Sequence, residues 1–139
     1  MKNLSKQFIY AITLFLAVGF SSCEDEKEVI SAELTIAQKV ALLESSEWLL
    51  EGFEDRVLYT FKDGKQFTYY GVDSVFDAEP IPGTFDYTIT GNLFTVDQHF
   101  GNVFIYELSF TCNSTIAILT RDGSTGRLFK RGSNYQECL

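Results

Sequence analysis

The 139-residue sequence has one histidine (His99), one tryptophan (Trp48), two prolines (Pro80, Pro82) and three cysteines (Cys23, Cys112, Cys138). Each shortage excludes something. A Ser–His–Asp triad or a His-based metal site would rest on His99 alone. His99 sits in Asp97-Gln98-His99-Phe100-Gly101, which reads as a hairpin loop carrying a solvated ring. There is no Cys-x-x-Cys and no Cys/His cluster, so no zinc site is readable. There is no Gly-rich phosphate loop either. Asp73, Asp77 and Glu79 lack EF-hand spacing and read as an exposed acidic loop. No cofactor or metal is expected. Paired carboxylates for glycoside cleavage depend on separation in space, which spacing along the chain does not fix.

Positive charge is also scarce: 11 basic against 19 acidic residues, a formal net charge of −8. Without residues 1–22, which carry Lys2 and Lys6, 9 basic and 19 acidic residues remain, a net −10. That disfavours nucleic acid and anionic headgroups as partners. It favours solubility and repulsion from an acidic cell surface.

The main long hydrophobic run is Phe8 to Phe20, 13 residues. A membrane span needs about 20, whereas this length behind Lys2 and Lys6 suits a secretory signal. Ser21 and Ser22 then precede Cys23. The arrangement resembles the lipobox of bacterial lipoproteins, with Phe20 where that family usually has Leu. The resemblance implies cleavage after residue 22 and lipid attachment at Cys23 through chains such as palmitate. One acyl chain holds a bilayer marginally, at about 0.8 kcal/mol per buried methylene, while two hold it stably. An ordinary cleaved signal followed by a free cysteine is the alternative.

Residues 23–33 are acidic and lack aromatics, which reads as a flexible tether. Acidic residues directly after a lipidated cysteine resemble the export signal of some surface lipoproteins. In other bacteria the same positions govern inner-membrane retention. The expected location is the cell envelope, lipid-anchored at the outer membrane, with surface exposure a further expectation.

Residues 34–139 form the expected domain. Thr35 to Ser45 places Ile36, Val40 and Leu43 on one helical face, with Thr35 as cap. A helix this short needs a domain to hold it, and it is expected as a packed lid or plug. From Glu47 the pattern changes to period two. Strands are expected at Trp48 to Glu51, Arg56 to Phe61, Gln66 to Tyr70, Gly83 to Thr90, Leu93 to Gln98, Asn102 to Thr111, Thr115 to Arg121 and Arg127 to Arg131. Gly71 to Pro82 reads as a loop. Asp63-Gly64, Gly91-Asn92, Asn113-Ser114 and the stretch Asp122 to Gly126 read as turns. Eight short strands joined in this way predict a mostly β, antiparallel up-and-down barrel with one short N-terminal helix. A two-sheet sandwich is the competitor.

With Cys23 acylated, Cys112 and Cys138 remain as an even pair in an oxidising setting. In a meander the sixth strand ends near Cys112, and the tail after the eighth emerges at the same end. The two therefore predict a disulfide, free thiols being the alternative.

The anchor, the Trp in the first strand, the meander and the hairpin Phe61-Lys62-Asp63-Gly64-Lys65-Gln66-Phe67 together resemble the lipocalin-like lipoproteins of Gram-negative bacteria. Gly83 to Leu93 looks like that family's middle hairpin. The usual Gly-x-Trp is Ser46-Glu47-Trp48 here. The resemblance implies an Arg packed over Trp48, for which Arg127 and Arg131 are candidates. It also implies a small apolar ligand within the barrel. Phe85, Tyr87, Ile89, Phe104, Tyr106, Leu108 and Phe110 are the candidate interior lining, and their bulk favours a filled core over an open pocket. The expected function is non-enzymatic: a membrane-anchored domain binding a small apolar molecule or an envelope partner. The alternatives are an accessory module with a filled barrel and a glycan hydrolase.

Overall fold

The computed structural model describes residues 33–139. The expected signal segment 1–22, Cys23 and all but Glu33 of the expected tether lie outside the described residues. No helix among the described residues is long and apolar enough to cross a membrane.

The chain opens with α1 (Ile36–Glu44). Thr35 caps it: its Oγ1 accepts from the Gln38 amide, and the Gln38 side chain accepts from the Thr35 amide. This reciprocal pair satisfies two otherwise orphaned groups at the first turn. Nine strands follow: β1 (Glu47–Leu50), β2 (Val57–Lys62), β3 (Lys65–Val72), β4 (Val75–Phe76), β5 (Phe85–Thr90), β6 (Leu93–Asp97), β7 (Val103–Thr111), β8 (Ile116–Arg121) and β9 (Ser124–Lys130). A 3-10 turn, Tyr135–Cys138, ends the chain.

Sequential neighbours pair antiparallel, except that β3 pairs with β5 past β4, and the pairing of β1 with β9 closes the ring. Eight strands thus close into a lipocalin-like barrel and leave no long free edge. Only the two-residue β4 stands outside the ring, hydrogen-bonded to the end of β3. The sandwich alternative fails because both of its would-be edges are paired. Tight turns allow this. Asp63-Gly64 and Asp122-Gly123 each take two positive φ values, 50° and 75°, and 51° and 78°, as a two-residue hairpin matched to strand twist requires.

Two boundaries differ from the sequence expectation. The stretch read as a loop from Gly71 contains the end of β3 and all of β4. Gly71 permits this, because a Cβ there would stand 2.6 Å from the Val75 carbonyl oxygen. The stretch Asp122 to Gly126 is a two-residue turn followed by strand, not one long turn.

The β3–β5 junction has only two register pairs, Lys65 with Asp86 and Gln66 with Phe85. Above it, β3 continues without β5, and the following loop runs alongside, with the Ile81 amide donating to the Thr68 carbonyl at 2.8 Å.

Alternation sorts the side chains into two apolar groups. Inside lie Trp48, Phe61, Tyr87, Phe94, Val96, Leu108, Ala117 and Leu128, with Leu43 of the helix. Outside, Leu49, Leu58, Ile116 and Phe129 form a second cluster that the C-terminal tail covers. The Tyr135 ring stacks on Phe129 with centroids 4.4 Å apart. The tail ends where Cys138 meets Cys112 at disulfide distance, Cα atoms 6.0 Å apart.

The helix packs across one end of the barrel as a plug. Of the predicted stripe, Leu43 is buried and Val40 half-buried, but Ile36 is 46% exposed and Lys39 is buried instead. The substitution has a cause. Lys39 Nζ reaches Gly91 O at 3.3 Å and Asn92 Oδ1 on the β5–β6 turn, so a cation is buried where its donors are used. Trp48 Nε1 donates to Leu43 O at 3.0 Å, and Tyr87 donates to Glu44 Oε1 at 2.7 Å. Burial, reinforced by the Glu44 hydrogen bond, pushes the Tyr87 phenol above its ordinary value of 10.0.

Candidate functional site

The barrel is half filled. At the plugged end, Trp48, Phe61, Tyr87, Phe94 and Leu108 occupy the interior, with Phe85, Ile89 and Phe110 packed against them. Aromatic rings meet at 5.3–6.0 Å, mostly tilted or edge to face, a spacing that suits the ring quadrupole. Toward the other end the packing stops and a cup of about 490 Å³ opens. That volume falls within the range of small-molecule sites.

Inward positions on β9 explain the hollow. Strand alternation sends Ser124, Gly126 and Leu128 toward the interior, and two of the three are small. A Cβ built on Gly126 meets nothing within 4 Å, at an ordinary φ. The facing wall is larger: Tyr59 and Phe61 from β2, Phe94 and Val96 from β6, Tyr106 from β7. The side chain of Gln66 on β3 also lines the cup. It is 9% exposed, and its amide has no hydrogen-bond partner among the described residues. Burial raises the Tyr59 phenol above 10.0, with Tyr70 and Tyr106 adding to the effect.

The mouth is polar and comes largely from the β8–β9 hairpin. Arg121 lies over the Phe104 ring, 4.7 Å from its centroid, and its Nε donates to Asp122 Oδ2 at 3.1 Å. Arg127 pairs with Glu51 at 3.5 Å. Both guanidiniums are more than two-fifths exposed, so each pair contributes little to stability. Apolar side chains ring the same end: Phe53, Val72 and Val75 are more than half exposed, and Phe100 is fully exposed. His99, beside Phe100, is exposed on the β6–β7 turn, with Nε2 2.9 Å from the Thr84 carbonyl oxygen.

Set against the residues singled out from sequence, the placements divide. Of the seven interior candidates, Tyr106 lines the cup. Phe85, Tyr87, Ile89, Leu108 and Phe110 fill the plugged half, and Phe104 supports Arg121 at the mouth. The expected Arg over Trp48 is corrected. Arg127 is held at the mouth by Glu51, and Arg131 lies over Phe76, 5.0 Å from its centroid, paired with Glu47. Trp48 is instead covered by the helix and by Phe110. Asp73 turns the β3–β4 hairpin, and Asp77 and Glu79 follow β4. No group of three His, Cys, Asp or Glu residues among those described is arranged to hold a metal ion. Cys23 lies outside the described residues.

Gln66, Gly126 and Arg121 were missed in the sequence. The signal for Gly126 was present: continuing period two backward from Leu128 puts Gly126 and Ser124 on the inward face.

Compared with known proteins, the chain matches no family model, no curated protein and no solved structure.

Proposed function

We propose that this is a lipid-anchored protein of the bacterial envelope, allied to the lipocalin-like lipoproteins, whose barrel binds a small and largely apolar molecule without chemical conversion. The cup carries the reading: about 490 Å³, floored by apolar and aromatic side chains and rimmed by a few polar groups. The carboxylate lining it, Asp122, sits at the mouth in an ion pair. That suits a rim better than a glycan-cleaving dyad.

The anchor rests on the apolar run ending at Ser21-Ser22-Cys23. The described chain begins with α1, which packs at the plugged end, and the mouth lies at the other. The acidic residues after Cys23 support an outer-membrane location extending to the cell surface.

Native mass spectrometry of the protein drawn from its own membrane tests the reading. A co-purifying small molecule supports it, and a uniformly ligand-free protein counts against it. Cys23→Ser should release the protein from membranes, and retention would refute the anchor.

A second reading, docking of an envelope protein at the mouth, is favoured by the exposed Phe53, Val72, Val75 and Phe100. Replacing these four with Ser should then abolish co-purification of that protein while ligand binding persists.

A further inference from the structure

We infer that the cup takes its ligand with a neutral hydrogen-bonding group, such as an alcohol or a carbonyl, leading an apolar body, and that the Gln66 amide recognises it. This rests on the binding reading above and specifies its chemistry.

Gln66 is more than nine-tenths buried, points into the cup and has no side-chain partner among the described residues. The amide faces the open cup, and a ligand that covers it without pairing with it forfeits about 1–3 kcal/mol, so a ligand group that pairs with it gains selectivity. The cup it faces is lined by apolar Leu50, Phe61, Phe94 and Leu128, with the uncharged Tyr59, Tyr106 and Gln98 beside them. No charged side chain lines the deep wall. The charges sit at the mouth and are matched, Arg121 with Asp122 and Arg127 with Glu51. An anionic head driven to Gln66 would be buried without a counter-charge. A primary amide both donates and accepts, so it serves a hydroxyl or a carbonyl equally. The register fixes it in place: Gln66 pairs with Phe61 of β2 and with Phe85 of β5, at the narrow β3–β5 junction.

The test uses the full chain in lipid nanodiscs, with N-phenyl-1-naphthylamine as fluorescent probe and background from nanodiscs alone subtracted. 1-Decanol, 1-chlorodecane, decanoate and decylamine compete for the probe. Decanol should bind about tenfold more tightly than chlorodecane or decanoate. Gln66→Leu should remove the preference over chlorodecane while the probe still binds. Gln66→Glu, nearly isosteric, should shift the preference to decylamine, which keeps the test available if the Leu variant folds poorly. An unchanged decanol preference in Gln66→Leu, or decanoate outcompeting decanol in the wild type, overturns the inference alone. Failure of the probe to bind the wild type saturably overturns it together with the binding reading.

Discussion

The indole of Trp48 on β1 donates to the carbonyl of Leu43 in the last turn of α1, 3.0 Å away. Both residues are essentially inaccessible. A helix too short to persist alone is thereby tied to the first strand at the floor of the barrel. Trp48→Phe removes the donor, leaves a buried carbonyl short of a partner and opens a small void. It should destabilise the domain by about 2–4 kcal/mol, read as a lowered urea midpoint. A change within about 0.5 kcal/mol would show that the plug is held without this bond.

The Cys112–Cys138 link closes 26 residues of sequence. On the chain-entropy model that constrains the unfolded state by about 3–4 kcal/mol. Reduction, or the double Ser variant, should lower stability by that order and free the tail from Phe129. The barrel should persist, because the tail packs on its outer surface. Non-reducing mass analysis should find no alkylatable thiol at either position, and two free thiols in the native protein would contradict the link.

Asp86 contributes to the acid limb of stability, and the buried phenols Tyr87 and Tyr59 to the alkaline limb. The Lys65 hydrogen bond holds the Asp86 carboxyl below its ordinary 3.8. Its contribution is therefore full above 3.8 and is lost as pH falls through the lower folded value. Tyr87, raised above 10.0 by burial, contributes fully below 10.0 and loses that contribution as pH rises beyond it. Urea midpoints should decline below about pH 4 and above about pH 10. Asp86→Asn should flatten the acid limb and Tyr87→Phe the alkaline one. Limbs unaltered by these variants would assign the transitions elsewhere.

The sequence made the barrel legible because period two is a local signal. Phe85, Tyr87 and Ile89 alternate with Asp86, Thr88 and Thr90, and the structure keeps that parity. The strand count came from turn chemistry at Asp63-Gly64 and Asp122-Gly123. Three features were less legible, the first two because a distant contact decided them. Lys39 is buried in place of Ile36 because Gly91 and Asn92, more than fifty residues away, offer acceptors. Arg131 turns outward to Phe76 because β4 folds back beside it, and β4 was hidden in a stretch holding two prolines. The hollow was obscured by reading Gly126 as turn. A glycine beside Asp-Gly looks like punctuation, yet here it is the inward residue whose missing side chain leaves the cup open. The aromatic load pointed to a filled interior, and it does fill one half.

Gly126 also offers the most direct test. Its φ suits any residue, and the space before it is open, so Gly126→Leu should fill the cup with little loss of stability. The measurement is saturable binding of N-phenyl-1-naphthylamine to the full chain in nanodiscs, wild type against Gly126→Leu. The account predicts binding to the wild type and at least tenfold weaker binding to the variant. Equal binding to both, with the variant folded, would contradict a ligand held in the cup.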